Sequence, residues 1–299
     1  MPLFFTWTDF AQQVTSGLAA GAIYASLALA LVLIYQTTNV VNFAQGEMAT
    51  FTTFVAWMFM DRGLPYWPAF ALTLLVAFAG GVAVERVLIR PIEHRPEIVI
   101  VIMTIGLLIA LNGLTGWIWG PEVKAFDSPF PNKTVTIGDV AVSVRDIGTF
   151  SVCLGVVVLL WLFFRFTTLG LAMRAVAFNP DASRLMGVRV GSMLALGWGF
   201  AAVLGAIAGM MAAPTVFLDP DMMIVVLIYA FAAAVLGGID SPVGAVVGGL
   251  LLGVVINLLG AYVDFVGNEL RLPTALAVLL VVLIVRPTGL FGRVVVRRV

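Results

Sequence analysis

Charged residues are spaced so that nine long apolar runs stand between them, at about 10–36, 48–60, 64–84, 98–119, 147–164, 191–214, 222–236, 243–262 and 273–285. Runs of this length and composition predict membrane-spanning helices. The expected fold is all-α, a polytopic helical bundle of about nine transmembrane spans (range 7–10) forming one domain over residues 1–299. Between 120 and 146 the apolar and polar residues alternate around Gly138-Asp139, which predicts a short exposed hairpin. Glycines at four-residue spacing, Gly17 and Gly21, Gly205 and Gly209, Gly244 and Gly248, Gly249 and Gly253, permit close helix approach.

Two segments break the regular pattern. The run 48–60 gives about 20 Å of helix against roughly 30 Å of hydrocarbon, so the preceding string NVVNFAQGEM must also enter the membrane. That draws Asn42, Gln45 and Glu47 inside the boundary. A carboxylate there costs a few kcal/mol unless it has partners or water. Either Glu47 lines a polar cavity, or the stretch is an interfacial loop whose glutamate caps the following helix. The second break is GGIDSPVG, residues 237–244. It reads either as a broken helix framing a transport site or as a tight turn at the cytoplasmic face. If 222–262 is a re-entrant pair, the span count falls to seven.

A third segment, residues 165–190, carries four arginines and dense helix signals. Leu171 to Phe178 are good helix formers. Asn179 can cap a second short helix with Pro180 first and Asp181 in its first turn, and Gly187 can end it. A helix parallel to the membrane is expected, its arginines facing either anionic lipid or a partner.

Composition narrows the chemistry. Of 299 residues 62% are apolar and 11% charged, with no net charge, which excludes a soluble globular domain and gives no reason to expect nucleic acid. Cys153 is the only cysteine and His94 the only histidine, so neither an intrachain disulfide nor a metal site of ordinary ligands is expected. The start has no Lys or Arg before its first apolar run, so a retained first span is expected rather than a cleaved signal. Placing the amino terminus outside assigns Arg86, Arg90, Arg95, Arg165, Arg174, Arg184, Arg189, Arg286, Arg293, Arg297 and Arg298 to the cytoplasm and leaves five basic residues outside. Trp7, Trp57, Trp67, Trp117 and Trp119 fall near the expected outer ends. The two lysines, Lys124 and Lys133, follow no glycine-rich loop, so the chain holds no Walker A site. No HExxH or G-x-S-x-G string occurs, so no enzyme is expected.

Seven strings occur in order: GLAAGAIYASLALALVLIYQ, NFAQGEM, ERVLIRP, TIGLLIALNG, GLAMRAVAFNPDASRLMGV, AAAVLGGIDSPVGAVVGGLLLG and RPTGLFG. Together they resemble the inner-membrane permease subunits of bacterial ABC importers for branched-chain amino acids, the LivH type. The resemblance implies ATP-driven import of branched-chain or related hydrophobic amino acids into the cytoplasm, with no cofactor on this chain. It implies four kinds of partner: a second homologous permease forming a heterodimer, two cytoplasmic ATP-binding subunits, a periplasmic solute-binding protein and membrane lipid. It places the chain in the bacterial inner membrane with a cytoplasmic carboxy terminus, a periplasmic loop at 120–146 and a cytoplasmic coupling loop at 165–190. Arg174, Asn179, Pro180, Asp181, Arg184 and Gly187 match the family's ATPase-docking element.

Where the family pattern carries a lysine before AFxAAVLGG and a glutamate after GGLxLG, this chain has Tyr229 and Asn257. Joint loss is what a buried ion pair would require, and a neutral hydrogen bond between the two is expected in its place. The polar groups expected along the route are Asn42, Gln45, Glu47, Thr104, Tyr229 and Asn257. The rival reading is an ion-coupled carrier or a channel for small amino acids or urea-type amides. A membrane scaffold without transport fits the buried polar groups less well.

Overall fold

Each of the nine apolar runs forms a helix in the computed structural model, which describes residues 6–263, 265–267 and 269–292. The basic residues Arg293, Arg297 and Arg298 lie outside the described residues. In chain order the first helices are α1 (Trp7–Thr38), α2 (Gln45–Asp61), α3 (Tyr66–Val84) and α4 (Glu97–Trp119), followed by α5 (Val144–Phe166). Two short helices, α6 (Thr168–Phe178) and α7 (Pro180–Leu185), precede α8 (Val190–Val216), α9 (Met223–Gly237), α10 (Pro242–Tyr262) and α11 (Arg271–Val285). α3 continues as a π turn over Glu85–Ile89 and a 3-10 turn over Arg90–Ile92.

Six of these helices are long and apolar enough to cross a membrane: α1, α3 with its extension, α4, α5, α8 and α10. The other three differ from the sequence expectation. α2 has 17 residues and α9 and α11 have 15 each, or about 26 and 22 Å of rise, short of a 30 Å core.

The long helix α1, 32 residues, is the axis of the bundle, packed along α10, α8, α5 and α9. Its contact with α10 is built from the paired glycines. A Cβ on Gly21 would lie 2.9 Å from the carbonyl oxygen of Gly249, and one on Gly249 would lie 2.5 Å from the Ala25 backbone. The two backbones therefore touch, which side chains would prevent.

Helix polarity alternates and sorts the charges. The end of the bundle holding the carboxy terminus of α1 and the amino termini of α4 and α8 also holds Glu85, Glu93 and Arg95, gathered around a cavity of about 230 Å³. Arg86, Arg90, Arg165, Arg174, Arg184, Arg189 and Arg286 sit at helix ends or connections on this same end. Glu85 is buried there and paired with Arg90 at 2.8 Å, and Arg90 also donates to the Gly191 carbonyl at 2.7 Å. Lys124, Lys133 and Arg145 sit at the opposite end, beside the hairpin of β1 (Thr134–Ile137) and β2 (Val140–Ser143), whose register pairs Ile137 with Val140 across Gly138-Asp139. There Lys124 lies over the Trp57 ring at 4.9 Å.

Candidate functional site

α1 ends at Asn39 in a left-handed conformation (φ 55°) that closes on Tyr35, a geometry asparagine tolerates. The chain then turns back into the bundle, and side chains hold that turn. Asn42 accepts from the Ala44 amide at 3.1 Å and donates to Gln45 Oε1 at 3.2 Å. Gln45 Nε2 donates to the Ala201 carbonyl at 2.9 Å. Gly205 makes this possible, because a Cβ there would lie 2.7 Å from the Gln45 amide.

Ala201 lies about 16 Å along α8 from that helix's start. α2 therefore begins deep in the bundle, not at the membrane boundary. Asn42 and Gln45 are fully buried and Glu47 is 2% exposed. An interfacial loop with Glu47 as helix cap does not describe this arrangement: the residue before α2 is Ala44, with no side-chain cap bond.

α9 begins beside it. A Cβ on Gly46 would lie 3.3 Å from Leu227 Cβ and 3.4 Å from the Met223 carbonyl, so the first turns of α2 and α9 are neighbours. Two helix amino termini, each carrying partial positive charge, thus open inside the bundle. Facing them is a ladder of polar groups. Asn112 of α4 places its amide nitrogen 3.4 Å from Glu47 Oε2, 3.3 Å from the Pro220 carbonyl and 2.8 Å from Asp221 Oδ1. The Asp221 amide in turn donates to Asp219 Oδ1 at 2.8 Å. Asp221 is exposed while Glu47 is sealed, so the ladder leads from the surface into the interior. Thr50, one turn above Glu47, is buried and its hydroxyl has no partner among the described residues.

Three sequence candidates lie elsewhere. Thr104 is buried but its hydroxyl donates to the Val101 carbonyl within α4. Asn257 donates to the Gln13 backbone and side chain, at 2.7 and 2.9 Å, on α1. Tyr229 instead packs on Tyr24, ring centroids 5.0 Å apart. The expected Tyr229–Asn257 hydrogen bond is thus not formed, because each side chain finds its partner on α1 instead, Tyr229 on Tyr24 and Asn257 on Gln13. Asn112, Asp219, Asp221 and Thr50 were absent from the sequence candidates. A lone amide in the apolar string TIGLLIALNG is the one signal that pointed to the first of these.

The second break behaves differently. Gly238 (φ 105°) leaves the end of α9, Ser241 caps α10 through the Gly244 amide, and Pro242 takes the first helical position. The last carbonyls of α9 are answered by the tail: the Leu290 amide donates to Leu236 at 2.8 Å and the Phe291 amide to Gly237 at 2.9 Å. Gln36 donates to the Asp240 carbonyl at 3.0 Å. This is a turn between two antiparallel helices, with the last carbonyls of α9 met by the tail and the start of α10 capped by Ser241.

At the arginine-rich end, α6 and α7 form as the spacing predicted. Asn179 caps α7 by accepting from the Ala182 amide at 3.0 Å, with Pro180 and Asp181 in the first turn, and Gly187 (φ 82°) follows it. Arg184 pairs with Asp181 at 3.3 Å and reaches Glu93 at 3.8 Å. Phe178, Leu185 and Met186 stand 86%, 90% and 84% exposed around this cap. Arg174 sits apart from them, on the rim of an apolar cleft.

Comparison with known proteins agrees with this architecture. The family model described as branched-chain amino acid transport system / permease component matches residues 13–286. The chain is 32% identical over 304 residues to the high-affinity branched-chain amino acid transport system permease protein BraD of Pseudomonas aeruginosa, spanning 97% of this chain and 98% of that one. It is 30% identical over 305 residues to the corresponding protein LivH of Escherichia coli strain K12, again over 97% and 98%. Among solved structures, PsaBC from Streptococcus pneumoniae in complex with Fab covers 93% of this chain and 92% of its own, with a TM-score of 0.50 and 14% identity. That last likeness concerns the fold alone.

Proposed function

Because the chain belongs to the family of permease components of branched-chain amino acid transport systems, we propose that it carries branched-chain or related hydrophobic amino acids inward, past the first turns of α2 and α9. It is a multi-pass membrane transport protein rather than an enzyme. On this reading ATP is hydrolysed by two cytoplasmic subunits, a second, homologous permease completes the pathway, and a periplasmic solute-binding protein delivers the substrate. The arginine-rich end faces the cytoplasm, the amino terminus lies outside, and residues 120–146 form a periplasmic loop. The three short helices bring the number of membrane segments to about nine.

The observation that carries the reading is the part-buried contact of Glu47 with Asn112, beside the first turns of α2 and α9. An amino acid is a zwitterion of matching pattern. Its carboxylate suits the partial positive charge where α2 and α9 begin, and its ammonium suits Glu47 and Asp221. Apolar Met223 and Leu227 flank the same place. Asn42 and Gln45 hold the break open in sequence terms and closed in space. The site is small and transient, as a permease supplied by a receptor requires.

α7 is the coupling element. Its capped turn, Asn179 to Gly187, presents Phe178, Leu185 and Met186 to an ATPase surface, and Arg184 ties it to Glu93 before α4. The test is reconstitution of the chain with its sister permease and ATPases in vesicles. Leucine uptake should require ATP and the ATPases. Uptake by the lone chain, driven by an ion gradient and indifferent to the ATPases, would establish the carrier reading instead.

A further inference from the structure

An apolar cleft in the bundle lies off the proposed route. It has a volume of about 490 Å³ and lies between α1, α5 and α10, roofed by α6. Its walls are aliphatic and aromatic, with Leu29, Leu33, Val157 and Trp161 among them. It opens on the outer surface of the bundle, since Trp161 and Val243 on its lining are about half exposed. Among the described residues no carboxylate lines it, whereas two arginines do, Arg165 near the end of α5 and Arg174 on α6, both exposed. Neither arginine forms an ion pair among the described residues. Arg165 is held in place by the rings beneath it, 5.4 Å from the Trp161 centroid and 5.8 Å from that of Phe166.

An apolar slot at the end of a membrane helix, with two unpaired guanidinium groups at its mouth, matches a molecule that is oily along its length and anionic at one end. A guanidinium binds phosphate oxygens through two parallel hydrogen bonds, and basic pockets between membrane helices bind anionic headgroups. A helix of a protein partner would have to bring a carboxylate to the same point and leave the slot's walls filled. We propose that this cleft is a binding site for one anionic phospholipid, its acyl chain between α1, α5 and α10 and its phosphate on Arg165 and Arg174. The site stands whether or not α7 docks an ATPase, because of the docking residues expected from the sequence only Arg174, which lies on α6, lines the cleft.

Trp161 supplies the probe. The full chain is placed in vesicles containing equal mole fractions of dibrominated phosphatidylglycerol or dibrominated phosphatidylcholine. The emission due to Trp161 is taken as the difference between the chain and its W161F variant. The brominated phosphatidylglycerol should quench that signal several-fold more strongly than the brominated phosphatidylcholine. R165Q or R174Q should each lower this preference about fivefold, the value expected for one arginine at an anionic surface. R165K and R174K should retain most of it, which separates lost charge from lost fold. Equal quenching by the two lipids, or a preference unchanged in the glutamine variants, overturns the proposal. So does quenching by neither lipid, the result expected when a second protein fills the cleft.

Discussion

The bundle is interrupted twice, and the two interruptions are resolved by opposite means. At 238–241 the exposed carbonyls are met by main-chain amides of the tail and by a capping serine. At 39–44 the gap is spanned by Asn42 and Gln45, and it delivers a carboxylate to the interior. A backbone that satisfies itself is insensitive to the identity of most side chains. A break held by buried amides and a carboxylate keeps groups that a passing solute can use. The comparison teaches that irregular backbone in a membrane does not by itself mark a route; what matters is whether side-chain polarity is left over once the backbone is satisfied. Thr50 and the exposed Asp221 are such remainders.

The sharpest way to break this distinction is Glu47→Gln. Hydrogen bonds to a charged group contribute about 1.5–3 kcal/mol, so leucine uptake by the reconstituted transporter should fall roughly tenfold to a hundredfold. Stability should hold or rise, because an incompletely paired buried charge is removed. Unaltered uptake would make Glu47 structural, like the other break. The opposite pattern is expected at Gly289, whose φ is 76° and where a Cβ would lie 2.5 Å from the Val235 carbonyl. Gly289→Val should lower thermal stability by about 2 kcal/mol and leave the KM for substrate unchanged. Asn179→Ala removes the α7 cap and should weaken that turn by about 1 kcal/mol, seen as reduced substrate-stimulated ATPase activity with normal receptor binding. Gln36→Ala, which loses one neutral bond to the second turn, should cost only about 0.5–1 kcal/mol in thermal unfolding and nothing in uptake.

What the sequence revealed follows from range. Helices α6 and α7, their cap at Asn179 and the hairpin at Gly138-Asp139 depend on neighbours within a few residues, and those signals were readable. The paired glycines announced close packing, but not that Gly21 of α1 would meet Gly249 of α10. The entry of Asn42, Gln45 and Glu47 into the membrane followed from the shortness of the run after them. Their depth, set by Ala201, did not. Glu47 meets Asn112 of α4 across 65 residues, and Asn112 in turn meets Pro220 and Asp221 just before α9; no local pattern specifies such a meeting. The expectation for Tyr229 and Asn257 failed for the same reason: two residues were paired by analogy, while α1 supplied Tyr24 and Gln13 nearer at hand. The tail's role at the end of α9 was equally invisible, since RPTGLFG carries no partner's address.

The central claim is that the solute passes the polar ladder at the start of α2, and Asn112 is its half-buried middle rung. With the buried Cys153 replaced by alanine and Asn112 by cysteine, the rate of labelling by a membrane-permeant thiol reagent can be followed in the complete transporter, with and without leucine. The account predicts that leucine, together with its receptor and ATP, slows labelling several-fold, and that a non-transported amino acid does not. Labelling at the same rate during active uptake would contradict it.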